Sequence, residues 1–476
     1  MELTRRSIIE PFKIKMVEPL HLHSLEAREK FLKDAGYNLF LVPSQGVTFD
    51  FLTDSGTTAM SANQWGAMMV ADESYAGSRS FQKFEAAVGE VTGYNYVIPT
   101  HQGRAAERLL FGLLVKPGDQ VPSNNHFDTT RANIEQIGAQ AVDLVIPEGR
   151  DPKSRHPFKG NIDLELLEEF CKKHRARIPI GMLTITNNTG GGQPVSFENI
   201  RGAAAIYRKY NIPFILDACR FAENAAFIRN RERGMSERSI RSIAREVFDT
   251  ADGCMMSAKK DGMVNIGGFI ALKKQDWVTD LRNNLILTEG FPTYGGLAAR
   301  DLEALAVGLF EALNEDYLEY RLAVAKYMGD GLTDLGIPIV QPPGGHAVYI
   351  DAKAFLPHIP PSQFPGQALV VELYRREGVR SCEIGSVMFG RTESEKFVPA
   401  AMELVRLAFP RRVYTQSHFD YLLEGFELLA KEKQKCRGLQ MTYSPPFLRH
   451  FTAQFKPANR RAVERKWVAC APEKSN

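Results

Sequence analysis

The chain has 476 residues, 44% hydrophobic and 24% charged, with 59 basic and 56 acidic side chains giving a net charge of +3. That length exceeds one ordinary core, so two domains are expected. The near-balance of charge leaves no electrostatic footprint for nucleic acid or a membrane surface, and neither is expected as a partner.

The N-terminal stretch "MELTRRSIIEPFKIKMVEP" lacks the apolar core of a signal peptide. No run nears the ~20 apolar residues of a membrane helix, so a cytoplasmic protein is expected. Cys171, Cys219, Cys254, Cys382, Cys436 and Cys470 form no CxxC pair. Free thiols are expected, not a disulfide framework or a zinc site.

Along the chain, Leu164, Leu167, Phe170 and Cys171 follow helical spacing. "IPIGMLTIT" (178–186) is a near-continuous apolar run, "FENIRGAAAIYRKYN" reads as a helix ending at Asn211, and "IPFILDA" (212–218) is a second run. Strand, helix, strand with apolar strands predicts a doubly wound α/β domain whose parallel sheet is buried on both faces. Beyond Leu302, the residues Leu305, Ala306, Leu309, Phe310 and Leu313 continue one apolar helical face, predicting a long helix that bridges to a second domain. "PIVQPPGGHAVYIDA" then mixes strand-like runs with turns, and 457–476 reads as a flexible tail.

Ligands of such sheets gather at the carboxyl ends of the strands. Three polar clusters fall there: "NNTGGGQP", "DACR" around Asp217, and "SAKKD" after the run at 253–256. A lysine at a strand end, desolvated and beside a second cation, suits a Schiff-base lysine for pyridoxal phosphate. That cofactor needs a carboxylate at its ring nitrogen, for which Asp217 is the candidate. It also needs a helix start for its phosphate, and Gln102, Gly103 and Arg104 of "THQGRAAERLL" supply one. Each piece alone has a plain structural reading, since lysine pairs are commonly solvated and a strand-end Asp often caps a helix. Their coincidence at one sheet edge is what points to a cofactor.

These stretches resemble the β-eliminating lyases, the family of fold-type I pyridoxal-phosphate enzymes that contains tryptophanases and tyrosine phenol-lyases. The resemblance runs from "EPFKIK" to "LRHFTAQF" through "LTDSGT", "ESYAGSRS", "PTHQGR", "GGQPVS", "RFAENAAFI", "SAKKDGMVNIGG", "GFPTYGGL", "GGHAV" and "RRVYTQ". It implies an N-terminal arm joining the small domain (1–56), a large cofactor domain (57–311) and a small α/β domain (312–456). In the family's motif the second lysine bonds the cofactor, here Lys260, with Lys259 beside it. Ser257 would join Gln102, Gly103 and Arg104 at the phosphate, Phe127 would stack on the ring, and Asn188 and Arg220 would lie near its phenolic oxygen. Arg406, with Thr53 and Ser55, would grip the substrate carboxylate. Tyr75 matches a general acid contributed by a neighbouring subunit, and Gly56, Glu73 and Asn265 match a site for potassium or ammonium. A homotetramer with sites shared across a dimer interface follows from the same resemblance.

Two positions depart from the family: Cys219 stands where Thr, Ser or Ala is usual, and His126 replaces a usual aromatic. Three others separate the activities within it. Phenol-lyases carry Arg, Thr and Phe where this chain has Ile384, Asp128 and His450, and here all three follow the tryptophanase pattern. A carboxylate suits an indole N–H, and an apolar Ile384 suits a bicyclic ring. The expected reaction is β-elimination of tryptophan to indole, pyruvate and ammonium. The alternatives are a phenol-lyase, another β-eliminating amino-acid lyase, or an inactive binding protein on this scaffold.

Overall fold

Strands Gly181–Thr184 and Phe214–Asp217 are buried throughout and pair in parallel, Thr184 opposite Asp217. Gly253–Ser257 continues the parallel run with Met255 opposite Asp217. Gly268–Leu272 then enters antiparallel, and Tyr96–Thr100 closes the five-stranded sheet. This computed structural model describes residues 7–393, 396–445 and 448–458. The tail expected over 457–476 and Cys470 fall largely or wholly outside those residues.

Side chains alternate across each strand, and both faces are covered. Leu216, Cys254, Met256 and Phe269 enter one apolar cluster, while Ile215, Met255 and Ile270 enter another on the opposite face. Helix Phe197–Lys209 forms the crossover between the first two strands; the Ser196 side chain accepts the Asn199 N–H and starts it. It stops short of the expected end because Asn211 takes a left-handed conformation, φ 50°, that no helix continues through. A second parallel pair, Gln120–Ser123 and Gln140–Asp143, lies beside the sheet, joined through Asn124, whose amide donates to Thr184 O at 3.0 Å and whose Oδ1 accepts the Thr184 N–H.

The expected bridging helix is divided. Ala299–Glu311 buries Leu302, Leu305, Ala306 and Leu309, whereas Phe310 is exposed beneath the Arg241 guanidinium. The bridge itself is the next helix, Glu315–Asp334: Leu318 packs in the first cluster, and Tyr320 through Leu332 in another. That further cluster gathers Leu32, Leu39, Phe49 and Phe51 with residues from Tyr320 to Phe455. Its sheet is antiparallel, ordered Cys382–Ile384, Leu404–Ala408, Ala347–Asp351, with Cys382 opposite Arg406. Among the described residues, no helix is long and apolar enough to cross a membrane, and the five described cysteines are free and buried.

Candidate active site

A cavity of about 260 Å³ opens where the strand ends of the large sheet meet the antiparallel sheet and the loops at 40–55 and 450–451. The register explains the gathering. Thr184, Asp217 and Met255 lie level, Ser257 and Gly268 follow on one edge, and Thr100 pairs with Gly268 just before Gln102. Gln102, Gly103, Arg104, Phe127, Asn188, Asp217, Arg220, Ser257, Lys259 and Lys260 all line this space. So do Thr53, Ser55, Asp128, Ile384, Arg406 and His450.

At the floor, Gly103 opens the helix Gly103–Leu114 after an extended Gln102 that makes no side-chain cap bond. A Cβ on Gly103 would lie 2.5 Å from the Ser257 Cβ, so only glycine lets this helix start touch the strand end. Helix N-termini attract anions, and three cations stand around this one. The Lys259 ammonium donates to Gln102 Oε1 at 3.2 Å; burial, then Lys260 and Arg104, lower its pKa. Asp217 is buried, and desolvation raises its carboxyl against the opposing pull of Lys260. A buried carboxylate, a helix start ringed by cations and a lysine lining the same cavity are a set of groups that fits pyridoxal phosphate.

Around this floor, other side chains are held by long-range bonds. Arg220 is locked to Asp54 by two bonds of 3.0 and 2.7 Å, both groups buried. Burial would raise the Asp54 carboxyl, but Arg220, His346 and Arg411 hold it well below its ordinary range. Arg411 also bonds Glu223 and Asp261, at 3.0 and 2.7 Å, and Arg321 bonds Glu223 at 3.1 Å. Asn188 Oδ1 lies 3.1 Å from Arg406, 2.8 Å from the Tyr349 hydroxyl and 2.9 Å from His346 Nε2. Arg406 donates to Leu52 O at 2.8 Å, and its Nε is buried without a partner. The two bonds fix the guanidinium plane at the cavity wall and leave N–H donors of its terminal nitrogens uncommitted.

On the remaining wall, Asp128 begins the helix Asp128–Gln136, and its Oδ2 lies 3.2 Å from His450 Nε2, both side chains nearly buried. Ile384 is buried beside them. His126 sits behind the wall instead, its Nδ1 2.7 Å from Asp143 Oδ1 and its backbone N–H on the same oxygen. Cys219 lines the cavity, its N–H 3.4 Å from Asp217 Oδ1.

Four expected residues lie outside the cavity lining. Tyr75 is 67% exposed and stacks on Phe291, with ring centres 5.1 Å apart. Gly56, at φ 77°, touches Asn265, whose amide donates to the carbonyls of Gly56 and Thr58. The Glu73 carboxylate accepts the backbone N–H groups of Ala299 and Arg300 and so caps the following helix. Residue-level reading missed Asp54, Asp261, Glu223 and Arg411, although each stood inside a quoted motif. It also missed Glu107, buried at the cavity edge, where desolvation raises its carboxyl to about 7 against bonds from Thr130 and Asn133.

A model of the family described as beta-eliminating lyase matches residues 50–424 of this chain. The chain belongs to the β-eliminating lyase family. This lyase is 59% identical to a tryptophanase of Salinibacter ruber, over 96% of the chain and 97% of that protein. A tyrosine phenol-lyase of Symbiobacterium is 48% identical over 95% of the chain and 99% of its own length. The serine palmitoyltransferase structure from Sphingomonas wittichii superposes with a TM-score of 0.52, covering 82% of this chain and 88% of its own, at 15% identity. That likeness is one of fold, and it is the fold-type I architecture expected from the sequence. As a member of its family, this lyase is a pyridoxal-phosphate-dependent carbon–carbon lyase.

Proposed function

We propose that this lyase eliminates indole from L-tryptophan and, with uptake of one water, leaves pyruvate and ammonium. The observation carrying this reading is the Asp128–His450 pair, 3.2 Å apart beside an apolar Ile384 in the cavity wall. A carboxylate there can accept the indole N–H, and an apolar face can take the bicyclic ring; a substrate hydrogen bond of this kind discriminates more strongly than fit alone.

In this reading Lys260 would hold the cofactor, Asp217 would serve its ring nitrogen, Phe127 its ring face, and Asn188 and Arg220 its phenolic oxygen. Gln102, Gly103, Arg104 and Ser257 hold the phosphate. Bound there, pyridoxal phosphate supplies the electron sink that makes the Cα proton removable. Arg406, with Thr53 and Ser55, orients the substrate carboxylate. The Lys260 amine would serve as the base for the Cα proton. Tyr75, Asp128 and His450 manage the protons at the indole ring, with Tyr75 arriving from a second copy in a homotetramer. Its 67% exposure, away from its own cavity lining, supports that placement.

Potassium or ammonium would sit between Gly56, Asn265 and Glu73, ordering the loop that carries Tyr75. With its carboxylate engaged by Ala299 and Arg300, Glu73 would offer its carbonyl oxygen. Exchanging potassium for sodium should slow the enzyme; equal rates would remove the cation from this account. A cytoplasmic location completes the proposal.

The test of substrate is selective damage. Asp128→Asn and His450→Phe should each lower kcat/KM for tryptophan by about 10–100-fold, the scale of a lost hydrogen bond to a charged group. S-methylcysteine, whose leaving group has no ring to protonate, should be affected far less. Equal losses on both substrates would assign these residues to the fold or the cofactor instead.

A further inference from the structure

Ile384 ends its strand at the cavity, and the short helix Ser386–Phe389 that follows brings Met388 to the same wall. Two buried acids hold this turn. Glu383 accepts the Val387 and Met388 N–H groups at 2.9 and 3.2 Å, and Glu403 accepts the Ser386 N–H at 3.1 Å together with the Ser386 hydroxyl. That hydroxyl also accepts the Ala400 N–H at 2.9 Å. The carboxylates converge on Gly385, where a Cβ would stand 2.5 Å from Glu403 Oε2 and 2.7 Å from Glu383 Oε1. From the far side, the Arg449 guanidinium donates to the carbonyls of Ser386, Val387 and Gly390, and the next residue is His450.

Two acids inside a protein are costly, and one turn of helix does not need both. The arrangement ties the apolar wall and the His450–Asp128 pair to a single support. We propose that Glu383 and Glu403 are positioning residues for the leaving group, fixing Ile384 and Met388, and through Arg449 also His450, around a flat ring. This rests on the tryptophan reading above. Electrostatics agree with the geometry. Burial, then the neighbouring Glu403, push Glu383 up to about 8, and burial raises Glu403 as well, so the pair keeps a proton near neutral pH. Arg449 faces Glu383, while Lys353 and Asp351 face Glu403.

The experiment compares Glu403→Gln and Ser386→Ala with wild type on tryptophan and on S-methylcysteine. It adds cofactor content, thermal melting and calorimetric binding of indole. Both variants should retain the cofactor and keep their rate on S-methylcysteine within about twofold. The tryptophan to S-methylcysteine ratio of kcat/KM should fall about tenfold, with indole binding weakened in step. An unchanged ratio, or equal losses on both substrates, overturns the positioning role. Should Glu403→Gln not fold, Ser386→Ala decides, because it removes one hydroxyl only. Wild-type enzyme that releases phenol from tyrosine but no indole from tryptophan contradicts the substrate reading alone. The variants are then scored on the tyrosine to S-methylcysteine ratio, where no change still overturns the inference.

Discussion

Lys259 and Lys260 differ in what their ammonium groups meet. Lys259 donates to Gln102, whereas the charge of Lys260 opposes the desolvation that raises the buried Asp217 carboxyl. Borohydride reduction should therefore fix the cofactor to Lys260. Lys260→Ala should abolish the label and Lys259→Ala should keep it; a labelled peptide ending in a modified Lys259 would reverse the assignment. A lysine pair and an acid at strand ends were legible from the apolar runs before them, whereas the choice of Lys260 over Lys259 came from the family resemblance. Asp54 and Arg411 were not legible. Their work is to neutralise Arg220, Glu223 and Asp261 in the interior, and in each pair the partners lie 150 or more residues apart in the chain. Local spacing carries no signal for such a network. Its hint was only that Asp54 and Asp261 each stood beside a residue already chosen for chemistry.

Elements were read best where one physical demand dominated. Apolar runs around 178–186 and 212–218 announced strands buried on both faces, and those strands formed. The helix beyond Leu302 was expected to bridge the domains, because its apolar face runs on to Leu313, past its end at Glu311 and up to Asn314, which caps the helix that does bridge. The turn at 385–389 was invisible, since its stability comes from Glu383 and from Glu403, which precedes the neighbouring strand, converging on it. That turn carries a pH signature. Glu383 is raised from 4.5 to about 8, so between those values the folded chain holds a proton that the unfolded chain has released. Its contribution to stability is complete below the lower value and lost as pH rises through the upper one. The charges around it, Glu403 and Arg449, stay in place in a Glu383→Gln variant. Thermal melting of that variant from about pH 5 to about pH 9 should fall less steeply than wild type. Parallel curves would contradict the shared proton.

At the scale of the molecule, the cavity is assembled from two sheets and contains every proposed group except Tyr75 and the cation site. Tyr75 instead lies on the surface against Phe291 and Tyr294. If it serves a neighbouring copy, Lys260→Ala and Tyr75→Phe, each nearly inactive, should complement when mixed. One site of each mixed dimer then carries both defects and the other carries none, so random pairing restores roughly a quarter of wild-type activity. No recovery despite verified mixed dimers would place Tyr75 in its own subunit.

In the proposed reaction the Asp128–His450 pair and the apolar wall at Ile384 select indole over phenol as the leaving group. The direct measurement is kcat/KM for indole release from tryptophan beside kcat/KM for phenol release from tyrosine, on the same purified, cofactor-loaded enzyme. Tryptophan should be favoured by about a hundredfold or more, as expected for a site built around a substrate hydrogen bond. Equal turnover of the two, or a preference for tyrosine, would contradict it.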